Sequence, residues 1–469
     1  MTNNNRTAFR GALILALLAF ADPARAQVCV NPAGGGCQLT IQAGVDVATA
    51  GQTIDVAPDT YSEFVEIPPG KDGLVIEASG VVLDNPTGVD GISIQSNDVT
   101  LRGLEIRNGD RGILIGDTTL VFPSGTTLSG LTLISPSEEC ILLSGADDTT
   151  ITGSSFVSCG YEAIAAFEGD DLGGSDGLVV TKSRFRVCGD GCVEVEGDDA
   201  VVTGNKIAQA EDEQGIVVTG DNARVEKNTL TAVSGGIFVE GASPIVVKNK
   251  VSIYSDYNAY EITCTGACTS ALVTSNKATN GVDDVGGFTV EATEAGMVVS
   301  KNSSLRAADY GFEVLGVGII LTGNKVSSSG GDIDESGFFV WGADHVLTGN
   351  TSTLSGNDGF SVRGSGHSLT GNTASENSGD GFDVDDFRGE EPVPSGIVLS
   401  GNTAIDNVGV GYNVATTQND PIGLTLTGNG SSGNRDDYCA SIDTGTVTDG
   451  GGNSFAVAGA PACEVDHDF

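Results

Sequence analysis

The sequence repeats with a period of about 25 residues, and a period that short points to stacked units rather than a globular core. The phrase Leu321-Thr322-Gly323-Asn324 returns at Leu347–Asn350, Leu369–Asn372, Leu399–Asn402 and Leu426–Asn429. Weaker copies place the same Asn at Asn205, Asn228, Asn249, Asn276, Asn302 and Asn453, and earlier ones replace it by Ser183, Ser154, Leu131 and Leu104. Fourteen intervals of 21 to 30 residues separate Leu104 from Asn453. A second phrase runs between successive Asn positions: Gly, a large apolar residue, any residue, then Val. It reads Gly311-Phe312-Glu313-Val314, Gly337-Phe338-Phe339-Val340, Gly359-Phe360-Ser361-Val362 and Gly381-Phe382-Asp383-Val384.

Apolar residues alternating with a period of two mark strands with one buried face. Neither strand of a unit can bury that face alone. Stacking the units at the ~4.8 Å strand separation buries it and pairs every strand with its copies above and below. No 3.6-residue period runs inside the units, which excludes a helical repeat, and a propeller blade needs ~40–45 residues. The pattern predicts an all-β, right-handed parallel β-helix of about 15 coils, roughly 70 Å long. The recurrent Asn fits its sharp turns, because Asn tolerates left-handed backbone angles and stacked Asn side chains hydrogen-bond along a column.

The ends require covers. Thr40 to Ala50 places Ile41, Gly44, Val45 and Ala48 on one helical face, which predicts an N-terminal capping helix. Residues 1–26 read as a signal peptide: Arg6 and Arg10, an apolar run from Gly11 to Ala21, then the small-residue site Ala24-Arg25-Ala26. The chain divides into that leader, a cap with the first strand at 27–60, and coils from 61 to 469. Export makes the ten cysteines candidates for disulfides. Local spacing suggests Cys29–Cys37, Cys140–Cys159, Cys188–Cys192, Cys264–Cys268 and Cys439–Cys463, though sequence alone does not fix connectivity.

Acidic residues number 63 against 22 basic, a formal net charge of −41, which argues against nucleic acid as a partner. No stretch after the leader is apolar enough to span a membrane. A secreted, periplasmic or cell-surface location follows, with the oligomeric state left open.

Thr40-Ile41-Gln42-Ala43 and the run from Ala50-Gly51-Gln52-Thr53 to Thr60-Tyr61-Ser62-Glu63 and Val65 resemble the opening of pectin-lyase-like β-helix proteins. The coils that follow resemble the generic right-handed β-helix repeats of that superfamily. The resemblance implies the fold over almost the whole mature chain. It implies function only broadly, since the superfamily holds pectate lyases, polygalacturonases, pectin esterases, alginate epimerases, phage tailspikes and adhesins. The sequence departs from its enzymes: Thr60-Tyr61-Ser62-Glu63 resembles a pectin esterase opening, but that family's catalytic Gln and Asp motifs do not follow. No Asp-Pro-His of the alginate epimerases is present either.

Within the Gly-Φ-x-Val strands, x and the residue after Val are expected to point outward. Trp341, the single tryptophan, then stands beside Phe339, Glu313, Arg363, Asp383 and Asp385. Aromatic faces stack on sugar rings while carboxylates and a guanidinium hydrogen-bond their hydroxyls, so Phe339, Trp341, Arg363 and Asp385 form the expected binding patch. Packing of the aromatics beneath a neighbouring loop is the competing reading. Glu261, Glu291, Glu313 and Asp383 are candidates for acid–base catalysis, as Glu261 and Glu313 fall two coils apart, roughly 9.6 Å by strand spacing.

His345 and His367 occupy equivalent positions on adjacent coils with Asp344 nearby, which allows a shared metal or a semi-buried neutral pair. Acidic groups at Asp283/Asp284, Asp332/Asp334/Glu335, Asp380 and Asp383/Asp385/Asp386 make Ca²⁺ the expected cation if one binds, and a solvated charged face otherwise. The expectation is an exported β-helix protein that engages a polysaccharide or cell-surface glycan along its outer face, with lyase- or hydrolase-like chemistry open. A non-catalytic adhesion or structural role, with Ca²⁺ as a stabiliser, is the alternative.

Overall fold

The computed structural model describes residues 27–86, 88–116, 122–167, 175–330, 335–385, 394–415, 421–441 and 444–457. The expected leader, Cys463, Asp332, Asp334 and Asp386 lie outside the described residues.

Each Leu-Thr-Gly-Asn phrase is a corner. Strand Val346–Thr348 turns Leu347 inward, Gly349 takes φ +62°, and the chain re-emerges as strand Thr351–Thr353. Nothing lies within 4 Å of where a Cβ on Gly349 would sit, so the left-handed backbone angle, not space, selects glycine. Four residues after the ladder Asn the chain turns again through Leu354, Glu376 or Asp406, each with positive φ. The Gly-Φ-x-Val phrase then supplies the third strand of the coil.

Parallel pairing of equivalent strands builds three stacked sheets over about 16 turns, close to the expected 15. In the first sheet Leu321, Leu347, Leu369, Leu399 and Leu426 stand in register. In the third, Phe312, Phe338, Phe360, Phe382 and Tyr412 do the same. The second and third sheets are joined where the strands Lys206–Thr219 and Thr229–Gly241 run on through the corner between them.

The core is a set of columns. From Tyr260 through Phe288, Phe312, Phe338, Phe360 and Phe382 to Tyr412, successive rings stack with centroids 4.5–5.1 Å apart. The Asn column is continuous from Asn205 to Asn453. At each step the backbone N–H and Nδ2 of one Asn donate to Oδ1 of the next, at 2.8–3.1 Å. A shorter second column, Asn377, Asn407 and Asn434, repeats the arrangement at the next corner.

The expected cap is α1, Ile41–Val47, which buries Ile41, Gly44 and Val45. The Thr40 side chain accepts from the Ala43 N–H, and the Glu63 carboxylate accepts from the N–H groups of Ile41 and Gln42 at 2.8 and 3.0 Å. Carboxylate and hydroxyl thus satisfy the free donors of the first turn. Disulfides join Cys29–Cys37, Cys140–Cys159, Cys188–Cys192 and Cys264–Cys268, and Cys439 is also disulfide-bonded.

Candidate functional site

The outer face of the third sheet presents two columns of side chains. One runs Glu194, Val217, Phe238, Glu261, Thr289, Glu313, Phe339, Ser361, Asp383, Asn413, each in direct parallel register with the next. The other, two residues further along each strand, runs Glu196, Thr219, Glu240, Thr263, Glu291, Leu315, Trp341, Arg363. Asp385 follows Val384 at the end of this second column. The period-two reading therefore orders the face as the sequence implies.

Exposure is where the reading needs correcting. Trp341 is open to solvent, with 40% of its surface accessible. Phe339, placed in the outward column, follows the competing reading and is buried: the Tyr310 ring stacks on it at 5.0 Å and the Arg363 guanidinium lies 4.9 Å from its centroid. Tyr310 precedes the neighbouring coil's strand by two residues, so this cover comes from a turn that alternation within one strand does not reveal. Asp383 and Ser361 are buried too, at 8% and 2% accessible. Asp383 Oδ1 and Ser361 Oγ have no hydrogen-bond partner, although the two residues are adjacent in the column.

Arg363 Nε donates to Asp385 Oδ1 at 3.0 Å. Around this pair lie two carboxylates the sequence reading did not place in the patch's core, Asp358 and Asp380. Asp358 Oδ1 accepts the Asp380 N–H at 2.6 Å, and Asp380 Oδ1 accepts the Val410 N–H. Burial, then the charges of neighbouring aspartates, drives the Asp358 and Asp383 carboxyls well above the ordinary carboxylate range. The available signal was the Asp-Gly pair before the inward aromatic, Asp358-Gly359-Phe360 and Asp380-Gly381-Phe382.

Glu261, Glu291 and Glu313 are half-buried on the same face. Thr289 sits between Glu261 and Glu313. Its Oγ1 accepts from Asn258 Nδ2 at 2.9 Å and donates to Glu313 Oε2 at 3.0 Å. Burial raises both glutamates, with Glu313 adding to the effect on Glu261; the Thr289 hydrogen bond offsets part of the rise at Glu313. Asp309 is pushed up to about 6 by burial and by Glu335, Glu313 and Asp284. Further toward the N-terminus Glu194 reaches about 7 through burial and the charges of Glu162, Glu213, Glu196 and Asp190. Burial thus raises the proton affinity of several carboxyls on and beside this face, Glu194 the furthest toward neutrality of those with a value.

The histidine pair is not on this face. The His345 and His367 rings stack inside the coil at 5.1 Å and are fully buried, whereas Asp344 is exposed. His345 Nδ1 accepts the Ile319 N–H and His367 Nδ1 accepts the His345 N–H, at 3.1 and 3.2 Å. Each Nε2 meets a backbone carbonyl, of Trp341 at 3.3 Å and of Arg363 at 2.9 Å. Both nitrogens of each ring are engaged, so neither keeps a lone pair for a metal, and His345, His367 and Asp344 form no metal site. Burial holds His345 down to about 4, and lowers His367 as well. Among the described residues no three His, Cys, Asp or Glu side chains are grouped so as to hold a metal ion. Nor does any described helix have the length and apolarity to cross a membrane.

No curated protein matches the chain in sequence. Among solved structures, an alginate lyase from Paenibacillus sp. str. FPU-7 is similar at 14% identity, covering 62% of this chain and 93% of that one, with a TM-score of 0.33. A family 28 exopolygalacturonase from Yersinia enterocolitica is similar at 10% identity over 90% of this chain and 79% of that one, TM-score 0.36. Tailspike protein 3 of bacteriophage CBA120 is similar at 14% identity over 90% and 58%, TM-score 0.35. The family model of the right-handed beta helix region matches residues 119–278 and 261–431, the same coils whose parallel columns carry the face described above. With more than half of its length matched, the chain belongs to the right-handed beta helix family.

Proposed function

We propose that this is an exported polysaccharide-binding protein whose ligand lies along the outer face of the third sheet, centred on Trp341. The observation that carries the reading is the exposed indole beside the Arg363–Asp385 pair. An apolar ring for stacking and a fixed donor–acceptor pair for hydroxyls stand one coil apart, which is the combination a sugar ring requires. Sheet regularity supports an extended ligand: the third-sheet strands continue for many coils toward the N-terminus and for four toward the C-terminus, so a polymer meets successive positions at ~4.8 Å steps.

Cleavage of the bound chain is a second reading, favoured by the contrast between Asp383 and Asp385. Asp385 accepts a hydrogen bond from the Arg363 guanidinium, while burial favours the protonated form of Asp383. A carboxyl that keeps its proton beside one that is hydrogen-bonded to a guanidinium is a pairing that general acid–base hydrolysis can use. In this reading Asp383 gives its proton to the glycosidic oxygen, and Asp385 or Glu313 takes one from the attacking water. A glycan array, followed by release of reducing ends from the glycans it selects, with and without Ca²⁺, tests both. Capture without new reducing ends establishes binding alone, and no capture at all removes the proposal.

A further inference from the structure

The few cations of the molecule are kept off the third-sheet face. From Glu194 to Asn413 and from Glu196 to Asp385, the two outward columns hold eight carboxylates and one guanidinium, Arg363. Basic residues line the second sheet instead, where Arg184 pairs with Lys206 and Lys250 with Lys277 in one register. Within each column the carboxylates recur two or more coils apart, roughly 10 Å or farther, among neutral residues, so the face as a whole is negative and attracts cations rather than anions.

An acidic surface alone does not define a ligand. Here a second feature points to one: two buried acceptors on the same column, Asp383 Oδ1 and Ser361 Oγ, without any hydrogen-bond partner. Unmet acceptors inside a protein are costly, and each is satisfied by a donor from a ligand. An ammonium group brings three donors and no acceptor, so it suits a carboxylate and a hydroxyl oxygen together. The indole of Trp341 adds an aromatic surface that attracts cations as well as sugar faces.

We propose that the polysaccharide taken by this face is cationic, a chain of amine-bearing sugars of the glucosamine type. The inference rests on the reading of the face as glycan-binding and specifies its substrate class. Successive ammonium groups lie over the carboxylate columns, one of them displacing the proton that burial favours on Asp383 and meeting Asp383 and Ser361, while a sugar ring stacks on Trp341. An anionic polymer such as a uronate chain is repelled by the same columns.

Calorimetric titration of the mature protein with three hexamers separates the possibilities: glucosamine, N-acetylglucosamine and galacturonate. The first two share a backbone and differ in charge. The glucosamine hexamer is expected to bind at least about tenfold more tightly than its acetylated counterpart, the worth of one charge-assisted hydrogen bond, and to weaken steeply with salt. Asp383→Asn and Glu291→Gln are each expected to weaken it about threefold or more, as loss of one rim or column charge does. Glu291 is half-buried on the surface, so its variant reports on charge even where Asp383→Asn disturbs folding. Equal or tighter binding of the acetylated or galacturonate hexamer overturns the cationic assignment and leaves glycan binding standing. Silence of all three hexamers and of the wider array overturns both.

Discussion

Asn350 shows what one residue does in this molecule. It is fully buried, its Nδ2 donates to Leu321 O and Asn372 Oδ1, and its own Oδ1 accepts from the N–H and Nδ2 of Asn324. Asn350→Ala leaves the Asn324 N–H and the Leu321 carbonyl buried and unpaired, so a loss of about 3 kcal/mol is expected in denaturant unfolding. Trp341 is the opposite case. Its exposed ring fills no core space, and Trp341→Ala is expected to leave the melting temperature nearly unchanged while weakening glycan binding by about 1 kcal/mol in calorimetry. The Asn ladder was legible because one residue type recurs at one spacing eleven times from Asn205 to Asn453. The second ladder was not, since Asn377, Asn407 and Asn434 recur too few times to stand out. Burial of Phe339 matches the competing reading, packing beneath a neighbouring turn, which the sequence offered but did not decide because Tyr310 comes from another coil.

At the scale of the element, the third strand of each coil couples core to surface. Its inward residues form the aromatic stack, and the outward residue between them belongs to the candidate face, so a change inside displaces the face outside. Phe360, stacked between Phe338 and Phe382, separates the Phe339 and Asp383 positions by one coil on either side. Phe360→Ala is expected to cost about 3–5 kcal/mol through the cavity it leaves, and Phe360→Leu much less, as read by chemical denaturation. Strand phrases and the cap helix could be read from alternation and helical spacing. The role of Glu63 could not: its side chain reaches the N-terminus of α1 from more than twenty residues away, a contact that only the first coil's closure creates.

For the whole molecule, electrostatics sets the pH response. Asp358 and Asp383 lie well above their ordinary values, Glu194 at about 7 and Asp309 at about 6. Each group binds its proton more tightly folded than unfolded. The stability it contributes is therefore present at acid pH and is lost as pH rises, through about 6 for Asp309 and about 7 for Glu194. His345, at about 4, acts in the other direction, because the unfolded chain takes up a proton first as pH falls below ~6.5. The raised carboxyls outnumber the lowered imidazoles. Calorimetric scans are expected to give a melting temperature a few degrees higher at pH 5 than at pH 8, with the gap narrowed by salt and by Glu194→Gln.

A glycan bound on the third-sheet face around Trp341 slows backbone exchange there, and amide hydrogen exchange maps that directly. With a saturating oligosaccharide from the array, protection is expected to rise in Phe338–Ala343 and Phe360–Ser365, together with a shift in the emission of the single tryptophan. The first-sheet strands Val346–Thr348 and Ser368–Thr370 of the same coils are expected to exchange as before. Protection confined to the first sheet or the N-terminal cap, with Trp341 emission unchanged while binding is seen by calorimetry, would contradict the account.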